Sequence, residues 1–427
     1  MNKLMDKLNR WLEEKFMPVA SKIASNRYMM SVKNSFFSAL PFIMVGSIFV
    51  IIAFLAIPGW DKIVGPYLNI LYAGMNFTSN LLSVWIALSY GYHLAEYYEL
   101  DPLVGATSSL MGFLIAATKV TDGAITMGNL GGAGIFTAIL IGTFSVELYR
   151  VCIKYKITFR MPESVPPKIA TSFGAIVPIL FEATVLAIIS HGLNFDITEF
   201  IMQIFRPLVL VGDSLPAVML VALLVALLFY VGIQGWTVVL GVIGPIELAN
   251  IQANAAAHAA GEELPHVLTE PFFAAFGSIG GTTMAGALVI LLMFCKSKQL
   301  RQAGKISIIP SLLVNVNEPA MFSVPTVLNP YFFIPVVFVY PLAAMNTWIA
   351  MNLGWVTKPF VNVAWSTPMP FYPYLATGGD FRAIILMLFN LAMGLLIYYP
   401  FVKAYDKACL KQEQQNKDAL EGAAAVK

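Results

Sequence analysis

The chain has 427 residues, of which 58% are hydrophobic and only 12% are charged. Soluble domains carry about 25% charged residues, so these charges cannot cover the surface of one or two soluble domains of this size. The net charge is +2 and the mean hydropathy is +0.74. These values exclude a disordered chain and a nucleic-acid-binding protein, and they indicate that lipid is the main solvent.

The first segment, residues 1–32, is predicted to be an amphipathic helix on the membrane surface. It mixes charged and apolar residues and has no continuous apolar centre, so it is not a secretory signal. One helical face would carry the apolar residues Leu4, Leu8, Trp11, Phe16 and Val19.

About ten membrane crossings follow, because a spanning helix needs about 20 mainly apolar residues. The run from Leu215 to Ala257 is long enough to cross twice and breaks at Gly232-Ile233-Gln234-Gly235. Residues 194–213 are predicted to form an interfacial amphipathic helix instead. The predicted crossings are 33–57, 67–96, 101–118, 130–150, 168–193, 214–233, 236–257, 269–295, 331–353 and 380–402.

The basic residues of the loops indicate the orientation. Lys and Arg cluster near residues 27–33, 150–168, 296–305 and 403–411. If all four clusters are cytoplasmic, an even number of crossings separates any two of them. Ten crossings satisfy this rule, place both termini and the polar tail 404–427 inside, and leave the acidic loop Gly261–Pro265 outside.

Two apolar stretches, Ser311–Pro330 and Val361–Gly379, are interrupted by Pro, Asn and Gly. Backbone at membrane depth leaves the helix only where protein or a water-filled cavity satisfies its polar groups. Both stretches are therefore predicted to be re-entrant segments. Such interruptions in transporters point to the substrate site.

Glu318 is the strongest candidate residue. It lies in Asn315-Val316-Asn317-Glu318-Pro319, and an ionisable group in apolar surroundings costs about 2.5–3.5 kcal/mol even on the lenient insertion scale. A carboxylate flanked by the amides of Asn315 and Asn317 can bind sugar hydroxyls or accept a proton from one. The structural alternative is a carboxylate that caps an adjacent half-helix.

Two other groups of polar residues allow two interpretations each. Glu247, Asn250 and Asn254 share one face of the span 236–257, where they either line a sugar path or bond neighbouring helices. Glu182, alone in the span 168–193, indicates an interhelical contact or a bond at a dimer interface.

Gly280 and Gly281 allow close backbone approach, either to a ligand or to another helix. Trp365, in the second broken stretch, is either a ring that stacks on a sugar or an ordinary interfacial anchor. The three cysteines share no metal or redox spacing, and no phosphate-binding loop is present. The sequence therefore predicts no metal, no cofactor and no direct use of ATP.

Taken in order, the motifs resemble one family over essentially the whole chain. It is the EIIC membrane component of the lactose, cellobiose and diacetylchitobiose branch of the bacterial sugar phosphotransferase system (PTS). The motifs that carry the resemblance are Asn26-Arg27, Met44–Ser47, Leu94–Tyr98, Gly134–Ala138, Leu268–Phe273, Gly280-Gly281, Ser297–Leu300, Asn315–Phe322, Val327–Pro330 and Ala376–Asp380.

The resemblance implies an all-α polytopic homodimer in the bacterial inner membrane. Residues 33–193 would form the dimer interface, and residues 214–403, with the two re-entrant hairpins, would cradle a disaccharide. It also implies group translocation. A phosphocysteine of EIIB, which receives its phosphoryl group through EIIA, passes that group to the sugar 6-hydroxyl. This sequence contains no EIIB-like domain, so EIIB would be a separate chain.

By the same resemblance, Glu318 binds the sugar near its reacting hydroxyl and Trp365 stacks on the sugar. The family usually reads Gly-Ile-His-Gly where this chain has Gln234, and that histidine lies beside the transferred phosphoryl group. Glutamine donates hydrogen bonds but cannot titrate near neutral pH. Either Glu318 carries the proton chemistry while Gln234 only positions, or the chain transfers phosphoryl poorly, or the substitution is engineered.

The leading hypothesis is a PTS permease for a β-linked disaccharide that resembles cellobiose or diacetylchitobiose. Gln234 would occupy the phosphoryl-transfer position, and Asn315, Asn317 and Asn254 would bind hydroxyls. One alternative is a facilitator or sugar sensor of the same fold that has lost phosphoryl transfer. An ion-coupled symporter is the third hypothesis, with Glu182 and Glu247 as its isolated candidates for a charged relay.

Overall fold

The computed structural model describes residues 7, 9–53, 59–121, 124–159, 161–162, 165–315, 320, 324, 326–364 and 366–425. The chain is mostly helical. Its described α-helices are α1 Met17–Ala24, α2 Arg27–Ala53, α3 Trp60–Val64, α4 Leu68–Phe77, α5 Leu82–Tyr97, α6 Pro102–Ala117, α7 Ile135–Lys154, α8 Pro167–Gly174, α9 Ile176–Ala187, α10 Ile197–Gly212, α11 Leu215–Tyr230, α12 Gly235–Ala260, α13 Glu270–Phe276, α14 Ala285–Leu292, α15 Lys298–Val314, α16 Phe333–Asn352, α17 Phe371–Ala376 and α18 Phe381–Ala425.

Shorter elements connect some of these helices. A two-stranded antiparallel ribbon pairs β1, Val120–Thr121, with β2, Ala124–Ile125. Short 3₁₀ turns cover Gly65–Tyr67, Ser79–Leu81, Gly132–Gly134 and Thr282–Met284, and π-helical turns cover Leu12–Phe16 and Ile188–Gly192.

Among the described residues, six helices are long and apolar enough to cross a membrane. They are Arg27–Ala53, Gly132–Lys154, Ile169–Gly192, Val238–Ala260, Phe333–Asn352 and Phe381–Gln415. Each coincides with a predicted crossing. The other predicted crossings fall on helices that are shorter or interrupted: 67–96 is divided into α4 and α5, and 269–295 into α13 and α14.

The chain divides into two compact units. The first unit contains residues 22–213 and 240–266, and the second contains residues 1–21, 214–239 and 267–427. The chain passes from the second unit to the first within α12, so this helix contributes residues to both.

The first unit is built on α2, α5, α6, α7 and the part of α12 beyond residue 239. Helix α6 begins where Asp101 accepts hydrogen bonds from the backbone N–H groups of Leu103 and Val104, at 2.9 and 3.0 Å, and Pro102 occupies the first turn. Its core buries Val32, Phe36, Leu82, Ile86, Tyr90, Leu94, Phe113, Ile135 and Ile251.

Glu182 is fully buried inside the first unit. Its carboxylate accepts hydrogen bonds from the hydroxyls of Ser108 on α6, at 2.5 Å, and Ser145 on α7. A buried carboxylate costs free energy unless such donors satisfy it. The structure thus makes Glu182 an interhelical contact, which is one of the two roles that its position in the sequence allowed.

The second unit buries large aromatic side chains. Tyr230, Phe272, Phe273, Phe276, Phe332, Tyr340, Tyr372 and Tyr398 are all less than 2% exposed. Their polar atoms find partners: the hydroxyl of Tyr398 donates to the carbonyl of Thr283 at 3.0 Å, and that of Tyr340 accepts from Ser278 at 3.2 Å. This packing holds the interrupted segments of the second unit in place.

Two features near the termini add to the sequence prediction. In the N-terminal helix Leu12 and Ala20 are buried, whereas Trp11 and Val19 are 54% and 59% exposed. Leu12 and Ala20 therefore pack inside the protein, while Trp11 and Val19 lie on the exposed side of the helix. Leu4 and Leu8 lie outside the described residues. At the other end, α18 continues as one helix through the predicted polar tail to residue 425.

Candidate functional site

The predicted site residues fall in three groups. Gln234, Gly280, Gly281 and Asn315 lie in the second unit, whereas Asn254 lies in the first. Asn317, Glu318 and Trp365 lie outside the described residues, so the structure locates only the segments on either side of them.

Gln234 follows a tightly closed helix end. The N–H of Ile233 donates to the carbonyl of Leu228 at 2.9 Å, and the N–H of Gly232 donates to the carbonyl of Phe229 at 3.0 Å. These are the two hydrogen bonds of a Schellman motif, which needs a left-handed residue, and Gly232 supplies it with φ of +86°. The exposed Gln234 therefore stands between two helices on a fixed loop.

Gly280 begins a sharply bent turn. Its φ is +74°, and a Cβ at this position would lie 2.4 Å from the Cα of Gly286. Gly281 follows with φ of +106°, and Thr283 and Met284 also have positive φ, at 59° and 58°. Glycine adopts positive φ without a steric cost, whereas Thr283 and Met284 do so only where the surroundings fix them. Such conformations are enriched at functional sites.

Asn315 connects three segments of the second unit. It ends α15 in the left-handed region with φ of 54°. Its side-chain carbonyl accepts from the N–H of Gly280 at 3.0 Å, and its side-chain amide donates to the carbonyl of Thr367 at 3.4 Å. Ser311, one helical turn earlier, donates to the carbonyl of Gly280 at 2.6 Å. Asn315, in the first broken stretch, is therefore bonded both to the glycine turn and to Thr367 in the second broken stretch.

The second broken stretch is a closed loop. The carboxylate of Asp380 accepts from the N–H and the hydroxyl of Thr357, at 2.9 and 2.8 Å, and from the guanidinium of Arg382 at 2.9 Å. The N–H groups of Phe360 and Val361 donate to the carbonyl of Ala376. These bonds join the two ends of the segment that carries Trp365, with the short helix α17 inside it.

Asp380 lies just before the candidate span Phe381–Gln415. Burial alone would raise the pKa of its carboxyl group, but the hydrogen bonds from Arg382 and Thr357 outweigh burial and lower the pKa to about 2. The ionised carboxylate is therefore the form that accepts these hydrogen bonds at physiological pH.

The structure adds Glu270 as a candidate that the sequence patterns did not indicate. Glu270 is the first residue of α13, and its carboxylate accepts a hydrogen bond from the hydroxyl of Tyr372 on α17 at 2.9 Å. Tyr372 is fully buried and Glu270 is partly exposed. The rule that selected Glu318, a carboxylate at membrane depth, applies equally to Glu270.

Asn254 has backbone partners in the first unit. Its side-chain amide donates to the carbonyl of His266 at 2.8 Å, and its side-chain carbonyl accepts from the N–H of the same residue at 2.9 Å. This pair of bonds holds the loop after α12 against the helix. The binding of a sugar hydroxyl by Asn254 therefore stays a prediction from the sequence.

Chemically, the second unit offers amides, carboxylates and strained backbone on interrupted segments of an apolar chain. Such an arrangement suits a neutral, hydroxyl-rich ligand, because hydroxyl groups pair with both donors and acceptors. Together with the apolar helices, these features define a multi-pass membrane protein of the transporter class, with irregular segments where transporters bind their substrates.

Comparisons with known proteins specify the family. The family described as "Phosphotransferase system, EIIC" matches residues 33–339. The chain is 33% identical to the lichenan permease IIC component of Bacillus subtilis (strain 168) over 434 residues, which cover 96% of each protein. It is also 33% identical to the PTS system cellobiose-specific EIIC component of Geobacillus stearothermophilus, over 99% of each.

A solved structure agrees with these matches. The crystal structure of the transporter ChbC, the IIC component from the N,N'-diacetylchitobiose-specific phosphotransferase system, is similar with a TM-score of 0.89 and 33% sequence identity. The similarity covers 95% of this chain and 99% of ChbC. The chain belongs to the EIIC family of the sugar phosphotransferase system, as the order of its motifs indicated, and it is a multi-pass sugar permease.

Proposed function

We propose that the chain binds a β-linked disaccharide that resembles cellobiose or diacetylchitobiose, carries it across the membrane, and presents its 6-hydroxyl to phosphorylated EIIB. The observation that carries this proposal is the set of bonds made by Asn315. That residue joins the glycine turn to the described parts of both broken stretches, which are the segments that contain Glu318 and Trp365. The names of the relatives, which refer to lichenan, cellobiose and diacetylchitobiose, support a β-linked sugar.

The chemical step is a phosphoryl transfer. The bond between sulfur and phosphorus in the EIIB phosphocysteine breaks, a bond forms between phosphorus and the sugar 6-oxygen, and the thiolate leaves. In this proposal the carboxylate of Glu318 takes the hydroxyl proton. The amide of Gln234 donates to a phosphoryl oxygen, while Trp365 stacks on a ring. Asn315, Asn317, Asn254 and the backbone at Gly280 and Gly281 would orient the remaining hydroxyls.

The proposal includes ten crossings and two re-entrant hairpins, and one contact supports the count of crossings. The imidazole Nδ1 of His266 lies 2.7 Å from a carboxylate oxygen of Asp213, and the side chains of both are 19% exposed. These residues stand at the two ends of the segment that contains α11 and α12. Because they are in contact, an even number of crossings separates them, which supports the division of the long apolar run into two spans.

We further propose a homodimer that forms through residues 33–193 and has both termini in the cytoplasm. Ten crossings put both termini and the basic clusters on one side of the membrane, and the excess of Lys and Arg there supports the cytoplasmic side. In this arrangement the second unit would carry the sugar, and a separate EIIB chain would approach it from the cytoplasm.

A second function is favoured by one observation, the glutamine at position 234. The loss of a cationic group beside a transferring phosphoryl group can cost about 100- to 1,000-fold in rate. A protein with this defect would act as a facilitator or sugar sensor with the same fold.

Transport by vesicles tests the two proposals. The purified chain is placed in lipid vesicles with a cellobiose-type EIIB phosphorylated on its cysteine, and sugars are supplied on the opposite side. The expected product is the sugar 6-phosphate, detected by mass spectrometry, and its formation should depend on Glu318. Movement of unmodified sugar only, with every phosphorylated donor, would refute phosphoryl transfer and support the facilitator. Loss of transport on adding an uncoupler would support an ion-coupled symporter instead.

A further inference from the structure

A polar residue lies on the packed side of the N-terminal helix. Asn9 precedes the buried Leu12 by three positions, and Ala20 continues the same face. An amide on a packed face costs free energy unless its donor and acceptor are both used. Both groups of Asn9 are used, and their partners belong to the segments that carry the candidate site.

Asn9, Tyr230 and Leu328 form a closed ring of three hydrogen bonds. The hydroxyl of Tyr230 donates to the side-chain carbonyl of Asn9 at 3.2 Å. The amide of Asn9 donates to the backbone carbonyl of Leu328 at 3.1 Å, and the N–H of Leu328 donates to the backbone carbonyl of Tyr230 at 2.9 Å. We refer to these three residues as the Asn9 ring; all of them lie in the second unit.

The ring holds unusual backbone. Leu328 has φ of 50°, a left-handed conformation that is unfavourable for a residue with a Cβ. Both backbone polar groups of Leu328 are bonded inside the ring. Tyr230 is fully buried, and its ring packs edge-on against Phe333 with centroids 5.1 Å apart. The contacts therefore fix a conformation that Leu328 would not adopt by itself.

The Asn9 ring joins two segments of the chain that lead to predicted site residues. Tyr230 ends α11, and the closed loop that follows leads directly to Gln234. Leu328 lies near the end of the broken stretch Ser311–Pro330, which contains Glu318. Next to the ring, a Cβ on Gly232 would lie 3.1 Å from the side chain of Val327, so the two segments approach closely there.

We propose that Asn9 is a positioning residue that fixes the segment carrying Gln234 against the segment carrying Glu318. The inference rests on the proposed function for its chemical consequence, because those two side chains would act on the same hydroxyl and phosphoryl group. A misplacement of about 1 Å in such a pair lowers the rate by up to about 100-fold. In this proposal the N-terminal helix holds the loop that carries Gln234 in position for the transfer.

The test uses the full chain in lipid nanodiscs and two independent measurements. Asn9→Leu removes both bonds of the amide, Asn9→Asp keeps only the acceptor for Tyr230, and Tyr230→Phe removes a single donor. Arg10→Ala, at an exposed position of the same helix, is the matched control. The first measurement is amide hydrogen exchange in peptides that cover residues 228–235 and 326–332.

We expect Asn9→Leu to accelerate exchange in both peptides by about fivefold to tenfold. The substitution removes one hydrogen bond to each segment, and the loss of one bond changes the equilibrium between the closed and open segment by about that factor. Tyr230→Phe and Asn9→Asp should have smaller effects, and Arg10→Ala should have none. Unchanged exchange in Asn9→Leu and Tyr230→Phe, or acceleration spread evenly over the second unit, would overturn the proposal.

The second measurement is sugar 6-phosphate formation with phosphorylated EIIB, together with sugar affinity. We expect the maximal rate to fall about 10- to 100-fold in Asn9→Leu, with sugar affinity changed less than about threefold, because the loss concerns alignment and not the binding surface. Equal loss of affinity and rate would overturn the positioning role. Absence of product from the unmodified chain would refute the proposed function and with it the chemical role of Asn9, whereas the exchange measurement decides separately whether Asn9 holds the two segments.

Discussion

The side-chain carbonyl of Asn315 accepts a hydrogen bond from the backbone N–H of Gly280 at a distance of 3.0 Å. This bond joins the end of α15 to the strained glycine turn, although the two residues are far apart in the sequence. Ser311 binds the other polar group of Gly280 at 2.6 Å, so both backbone groups of that residue are fixed by α15. The geometry of the candidate site therefore depends on this contact as much as on the residues that would touch the sugar.

Gly280→Ala should destabilise the protein strongly, because φ is +74° and the new Cβ would lie 2.4 Å from the Cα of Gly286. Gly354→Ala is the matched control, since φ is +70° there and no atom lies within 4 Å of the added Cβ. The left-handed backbone costs both variants about 1–2 kcal/mol. Crowding adds about 1–3 kcal/mol to Gly280→Ala alone. Thermal unfolding in detergent measures the difference, and equal Tm shifts would show that the turn relaxes freely.

Glu270→Gln should weaken sugar binding by about fivefold to tenfold, because it replaces one acceptor oxygen of the carboxyl group by an amide donor and so removes about one hydrogen bond. Tyr372→Phe keeps the carboxylate and removes only its donor at 2.9 Å, so its effect on affinity should be smaller. Glu263→Gln, in an exposed loop, is the control. Isothermal titration with cellobiose and diacetylchitobiose measures the affinities. A lower Tm with unchanged affinity in Glu270→Gln would assign this pair to packing only.

Asp380→Asn should lower stability at neutral pH, and the difference from the unmodified chain should vanish in acid. The folded-state pKa of about 2 lies below the ordinary value of 3.8. The stabilisation by this carboxylate is therefore complete above about pH 4 and is lost as the pH falls through 2. Tm values of both proteins between pH 7 and pH 2 measure the gap, with the exposed Glu262→Gln as control. A gap that stays constant down to pH 2 would contradict the lowered pKa.

Gln234→Ala should reduce sugar 6-phosphate formation by about 10- to 100-fold, because the proposed donor to the phosphoryl group is lost. Gln234→His replaces an amide that does not titrate by an imidazole with an ordinary pKa of about 6.5, so the rate should acquire a pH dependence near that value. Initial rates with phosphorylated EIIB between pH 5.5 and 8.5 measure both effects. A gain of about 100-fold or more in Gln234→His would show that the unmodified chain is impaired in transfer and would favour the facilitator.

The order of the elements was predictable from the sequence because hydropathy and backbone breaks are local properties. Six predicted crossings coincide with long apolar helices, and the break at Gly232 is the end of α11. The glycine pair at 280 and 281 indicated a close approach of backbone, but it indicated neither the left-handed conformation of Gly280 nor its neighbour Gly286. The membrane-surface face with Trp11 and Val19 stays a prediction, and the sequence pattern did not indicate the packed side that carries Asn9 and Leu12.

The site itself was predictable only in part. Glu318, Asn317 and Trp365 were selected because they are polar or aromatic residues in broken apolar stretches, and they stay predictions. Glu270 obeyed the same rule, yet its significance became visible only through the bond with Tyr372. The sequence places Asn254 on a polar face of its helix, and the structure shows that its amide bonds the backbone of His266. Periodicity places a side chain on a face, while the partner on that face comes from another part of the chain.

By itself, the sequence determined that lipid is the main solvent, where the long apolar run breaks at Gly232 and which family the motifs belong to. A charge content of 12% decided the first point, because too few charges remain to cover a soluble surface. Only the tertiary structure decided which polar groups pair with each other. Asn9 meets Leu328, and Asn315 meets Gly280, across separations that no local pattern encodes. The physical reason is that burial obliges each polar group to find a partner, and the fold determines which partner is within reach.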